Sequence, residues 1–136
     1  MVMSQANPNV KVIEEVYAAF GRGDAAAVAE RCTSDTHWDF NVGPSDVPWH
    51  VPVRSRADVP AFLGAFGSNV VLKKFEPRTF IASGDQVAVV IGLAYEVKKT
   101  GKPVDEEQIH LWTLRDGRVA RLRHYEDTAQ VLAAHA

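Results

Sequence analysis

The sequence predicts an α+β domain in which N-terminal helices cover one face of a curved, mostly antiparallel sheet. Three observations lead there. Apolar residues recur at helical spacing in the first part of the chain, and long alternating runs separated by Gly- and Pro-containing turns fill residues 70 to 127. The last two runs flank Arg115-Asp116-Gly117, and Asp-Gly between strand-like segments is a strong hairpin signal. With 136 residues, the chain reads as one domain spanning 1–136, with residues 1–7 as a flexible tail.

The elements follow in order. Asn7-Pro8 is a cap followed by proline at the first helical position, and Ile13, Val16, Tyr17 and Phe20 then define an amphipathic helix. Gly21 and Gly23 end it, and Asp24 caps a second short helix expected to run through Cys32. Thr36 to Val42 reads as a strand with His37, Asp39 and Asn41 on one face and Trp38, Phe40 and Val42 on the other. Residues 43–53, rich in Gly and Pro around Trp49-His50, form a surface loop suited to a flap. Ser55 to Asp58 has capping-box spacing, and Val59, Phe62, Leu63 and Phe66 make the stripe of a helix closed by Gly67. Strands are expected at about 70–80, 86–99, 105–114 and 118–127. Asp127 or Thr128 then caps a last helix through Ala134.

The hairpin loop decides which side chains share a face. A two-residue loop pairs His110 with Arg123. A three-residue loop with Gly117 at a positive-φ bulge groups Gln108, His110, Trp112 and Leu114 with Ala120, Leu122 and His124. The second register is preferred, because it gathers the apolar residues and both imidazoles and sends Arg121 and Arg123 to the other face.

Composition excludes several function classes. A formal net charge of −2, a pI near 6.2 and no basic run offer no footprint for nucleic acid. No apolar stretch is long enough for a membrane span, and the N-terminus lacks a signal-peptide pattern. Cys32 is the only cysteine, which excludes an intrachain disulfide and suits a reducing, cytoplasmic setting. The five histidines show no metal-ligand spacing, so neither a metal nor a cofactor is expected.

The phrases Tyr17-Ala-Ala-Phe-Gly-Arg-Gly-Asp24, Asp39-Phe-Asn-Val-Gly43, Asp116-Gly-Arg-Val119 and Arg123-His-Tyr-Glu-Asp-Thr128, in that order, resemble the nuclear transport factor 2-like superfamily. Within it the chain is most similar to SnoaL-like and ketosteroid isomerase-like proteins. The resemblance covers about Asn9 to Leu132 and implies a cystatin-like cone, a sheet wrapped around the first helix to enclose an apolar pocket, and a homodimer.

It also implies site residues. Ketosteroid isomerases carry a tyrosine where Tyr17 stands and a general-base aspartate before a Val-Gly, as Asp39 precedes Val42-Gly43. Their protonated oxyanion-hole aspartate falls close to His110, a departure that weighs against steroid isomerisation. Limonene epoxide hydrolase has a C-terminal motif similar to Leu122-Arg-His-Tyr-Glu-Asp127, with His124 in place of its catalytic aspartate, and its Arg-x-Asp partner is missing. SnoaL cyclases use an aspartate as general acid/base in the same pocket, and the resemblance assigns it to neither Asp39 nor Asp127.

The resulting expectation is a cofactor-free isomerase, cyclase or dehydratase acting on a small apolar carbonyl compound. Asp39 is its base, Tyr17 and His110 are oxyanion donors, and His124 is a second proton carrier. Trp38, Trp49, His50, Phe62, Phe66, Gln108, Trp112 and Leu122 are the expected ligand-binding residues. The alternatives are a non-catalytic ligand carrier and a dimeric association module.

Overall fold

A computed structural model describes residues 7–136, and the expected flexibility of residues 1–6 lies outside the described residues. Asn7 belongs to the fold: its side chain accepts from Asn9 N at 2.9 Å and caps α1, Pro8–Gly21. One face of α1 buries Val10, Ile13, Val16, Tyr17 and Ala19 against the sheet. Each large apolar side chain removed from water there contributes about 1.5–3 kcal/mol.

Asp24 caps α2, Ala25–Glu30, by accepting from Ala27 N. The helix stops two residues before the expected end, and Cys32 opens β1, Cys32–Asp39. Pairing with β5 overrides helix propensity at this point. After a loop, a 3₁₀ turn at Arg56–Asp58 leads into α3, Val59–Asn69. Ser55 makes no capping bond; Asp58 instead accepts from Arg54 N at 3.0 Å. Gly67 does not end α3, which runs two residues further.

The strands β2 (Val70–Ser83), β3 (Gln86–Val97), β4 (Pro103–Arg115) and β5 (Arg118–Tyr125) form an antiparallel meander, and β1 pairs in parallel with β5. The sheet order is β1-β5-β4-β3-β2. The curved sheet is therefore open, with β1 and β2 as edges and the helices completing the cone. The last helix, α4, Thr128–His135, is capped by Asp127, which accepts from Gln130 N.

The β4–β5 hairpin reaches the expected grouping by a different route. Asp116 and Gly117 have φ of 52° and 76°, and Arg115 pairs with Arg118, so the loop has two residues. Ala120 is the extra residue of a bulge between the Leu114–Val119 and Thr113–Arg121 pairs. That bulge resets the register, so His110 pairs with His124 and Trp112 with Leu122, and Val119 rather than Ala120 lies opposite Leu114. Gly117→Ala is expected to lower stability by about 1–2 kcal/mol, the cost of an L-residue in left-handed backbone. Urea unfolding with an unchanged m-value would establish it.

Candidate functional site

The first three helices, all five strands and Trp49 of the 43–53 loop line an apolar cavity of about 70 Å³ between the helices and the sheet. Its walls include Trp38, Trp49, Phe62, Phe66, Trp112 and Leu122. Trp49 reaches it because residues 43–53 do not stand off as a flap. Val47, Trp49 and Val53 are buried, and Trp38 and Val53 exchange backbone hydrogen bonds of 2.8 and 3.2 Å.

One end of the cavity is polar, formed by Tyr17, Gln108, His110 and His124. Strand alternation puts Glu106, Gln108, His110 and Trp112 in one buried row on β4, and the Ala120 bulge brings His124 beside His110. The hydrogen bonds assign the protons. Gln108 Nε2 donates to Glu106 Oε2 at 3.2 Å, which turns Gln108 Oε1 toward both imidazoles. His110 Nε2–H and His124 Nε2–H then donate to that one oxygen at 3.0 and 3.1 Å. His110 Nδ1 is left as a lone pair and accepts the Tyr17 hydroxyl at 2.9 Å, while the Tyr17 oxygen accepts Trp112 Nε1–H at 2.9 Å.

Burial governs the ionisation of these groups. It lowers the pKa of His110 well below 6.5, aided by the neighbouring His124. It brings His124 down to about 4, with Glu126 opposing and His50 assisting. Both rings are therefore neutral near pH 7. Burial also raises the Tyr17 hydroxyl and lifts Glu106 to about 7, although Asp127 N–H and Gln108 stabilise its charged form.

Two expected site residues lie elsewhere. Asp39 is on the opposite face of β1 from Trp38, with its side chain 32% exposed and paired with His37 at 3.1 Å and Arg121 at 3.5 Å. It does not reach the cavity wall, which corrects its placement as the pocket base. His50 is not a lining residue either. Its Nε2 bonds Glu126 Oε2 at 2.8 Å, and its Nδ1 bonds Ser45 Oγ at 2.8 Å. Asp127 serves as the cap of α4.

Glu106 and Glu126 are buried acidic residues beside the site that were not among the expected site residues. Glu106 was detectable as the next inward position of the β4 alternation. Glu126 follows the end of β5, where alternation gives no signal. Its side chain is 1% exposed, and its Oε1 faces His124 Nδ1 at 3.7 Å, with neither atom otherwise partnered. Two buried polar atoms thus face each other without a hydrogen bond. Among the described residues, no group of three or more His, Cys, Asp or Glu is placed to hold a metal ion, and no helix is long and apolar enough to cross a membrane.

A profile of the SnoaL-like domain matches residues 13–122. The chain belongs to the SnoaL-like family. Solved structures similar to this SnoaL-like protein include a nuclear transport factor 2-like protein from Burkholderia xenovorans LB400. That protein is 28% identical, with 95% of this chain and 96% of the other covered and a TM-score of 0.85. TerC, co-crystallised with polyporic acid, is 24% identical over 94% of this chain and 98% of its own, with a TM-score of 0.82. A candidate polyketide cyclase from Xanthomonas campestris pv. campestris is 20% identical over 95% and 97%, with a TM-score of 0.77. Among curated proteins, none matches the chain.

The neutral imidazoles make stability sensitive to acid. Unfolded, His124 binds a proton near 6.5; folded, it does so only near 4, so the unfolded chain holds more protons between those values. The contribution is fully present above pH 6.5 and is lost as pH falls toward 4. At about 1.4 kcal/mol per tenfold change in proton affinity, it amounts to about 3 kcal/mol for His124. Glu106 acts oppositely, because its raised pKa favours the folded state less as pH rises from 4.5 to about 7. Urea unfolding across this range should show a shallower net acid loss in His124→Gln than in the parent and a steeper one in Glu106→Gln.

Proposed function

We propose that this SnoaL-like protein binds a small, largely apolar carbonyl compound in the cavity and moves a proton on it without a cofactor, as an isomerase, cyclase or dehydratase does. One observation carries the reading: two imidazole N–H groups converge on a single carbonyl oxygen at the polar end of an apolar cavity. Such an arrangement stabilises a carbonyl oxygen that gains negative charge. Gln108 Oε1 holds the place of that oxygen, and a ligand carbonyl displacing the carboxamide meets the same two donors. Tyr17, bonded to His110 Nδ1, keeps the ring oriented.

Proton abstraction falls to Glu106 in place of Asp39. Glu106 lies behind Gln108 and is not itself part of the cavity wall; displacing Gln108 frees its Oε2, and a carboxyl that burial lifts to about 7 is suited to exchange a proton with a carbon acid near neutrality. The fold shared with a candidate polyketide cyclase supports the reaction class, and the residues of this chain supply the rest. A second reading, a non-catalytic carrier, is favoured by one feature: the polar side-chain atoms of Tyr17, His110 and Gln108 all have partners within the protein.

We place a homodimer contact on the outer face of the sheet. Val90, Ile109 and Tyr125 align across three strands there, beside the row Ile81, Ala88 and Leu111, and Ile81 is 61% exposed. Sedimentation should give a dimer, and Ile109→Glu should shift it to monomer with the cavity intact; a monomeric parent refutes this contact.

Exchange of α-hydrogens for deuterium in 1-phenylpropan-2-one, followed by NMR, tests the chemistry without knowledge of the natural substrate. The protein should accelerate exchange, and His110→Ala should reduce the rate by about 100-fold, as loss of one oxyanion donor does. Glu106→Gln should abolish acceleration, and Asp39→Asn should leave it unchanged. Gln108→Ala should bind the ketone up to about tenfold more tightly, since no hydrogen bond has to be displaced. Binding without exchange selects the carrier reading, and no binding rejects both.

A further inference from the structure

We propose that the cavity is the head compartment of a two-compartment site, and that its ligand carries an uncharged alkyl or aryl tail lying in a groove outside it. This rests on the binding reading above. The groove, about 400 Å³, lies between the end of α1, the start of α2 and α3. It shares Phe20, Leu63 and Phe66 with the inner cavity, so these three side chains are a partition with space on both sides. Phe20 and Phe66 stand with ring centroids 6.2 Å apart.

The groove wall is mostly glycine and apolar residues, with Pro60, Val70 and Leu72 beyond the partition. Its two polar side chains are already engaged. Asp24 accepts from Ala27 N, and Ser68 donates to the Gly64 carbonyl. No cationic side chain lines the wall, and the Asp24 carboxylate already pairs with Arg22 at 3.6 Å. The inner space of about 70 Å³ holds a carbonyl group and a few carbons, and the adjoining volume is the place for the remainder.

Glycine placement points the same way. Gly64 and Gly67 lie inside α3, three residues apart on one face, where glycine weakens a helix. Neither has a positive φ, and a Cβ added at either meets nothing within 4 Å. No backbone requirement or close packing accounts for them. Their common consequence is an open groove.

The test is calorimetric binding of 2-alkanones from six to twelve carbons. Once the chain outgrows the inner cavity, affinity should rise roughly fourfold per methylene, equivalent to about 0.8 kcal/mol per buried CH₂. Gly64→Trp and Gly67→Trp, checked for unchanged melting, should leave 2-hexanone binding intact and remove most of the gain for the longer ketones. If short ketones bind and affinity stays flat with length, or neither variant alters the length dependence, the groove proposal fails while the cavity reading stands. If no ketone binds, both fail.

Discussion

The pairing of His110 with His124 across β4 and β5 is the constraint on which the polar end of the cavity depends. A one-residue slip of β5 against β4 would carry His124 and Leu122 to the outer face and bring Arg121 or Arg123 inward, while His110 and Gln108 stay fixed by the pairing of β4 with β3. The chain avoids this with two local devices. A two-residue turn at Asp116-Gly117 sets the twist of the hairpin, and the extra residue at Ala120 corrects the register. Each alone would put the wrong side chains in the core. A bulge placed beside the site thus functions as part of its construction.

Burying four polar side chains in an apolar cavity is costly unless their bonding is complete. Here completeness determines the protonation states. Because Glu106 takes the Gln108 amide, the Gln108 carbonyl must face the rings; both rings must then be protonated at Nε2, and the Tyr17 hydroxyl must point to His110 Nδ1. The chain of consequences ends at His124 Nδ1 and Glu126 Oε1, the one pair left without a proton between them. That incompleteness sits beside the cavity, next to Glu126, which also holds His50 from the loop carrying Trp49. Glu126 thereby ties the loop carrying Trp49 to the end of β5.

The helix–sheet order, all four meander strands and the inward row on β4 were legible in the sequence, because period-2 alternation and Gly-containing turns are local signals. The position of β1 was not, since a parallel partner far along the chain leaves no local trace, and the same pairing shortened α2. Asp39 is more instructive. Alternation through Trp38 and Phe40 already put it on the opposite face, and only its match to a family motif drew it into the pocket. Where a motif and strand parity disagree, parity is tied to burial of large aromatic groups and prevails. Glu106 could have been found by extending the same parity two residues upstream from Gln108.

Asp39 on β1 and Glu106 on β4 sit in contrasting surroundings. On β1, Asp39 is partly exposed and pairs with His37 and Arg121. On β4, Glu106 is surrounded by protein, and burial lifts it to about 7, so protonated and ionised forms are of similar free energy at neutral pH. The imidazoles are displaced in the other direction, toward neutrality. β4 thereby carries Glu106 and His110, whose environments drive their proton affinities in opposite directions. The fold sets the cavity, and the β4 row with its partner at His124 sets the chemistry available inside it.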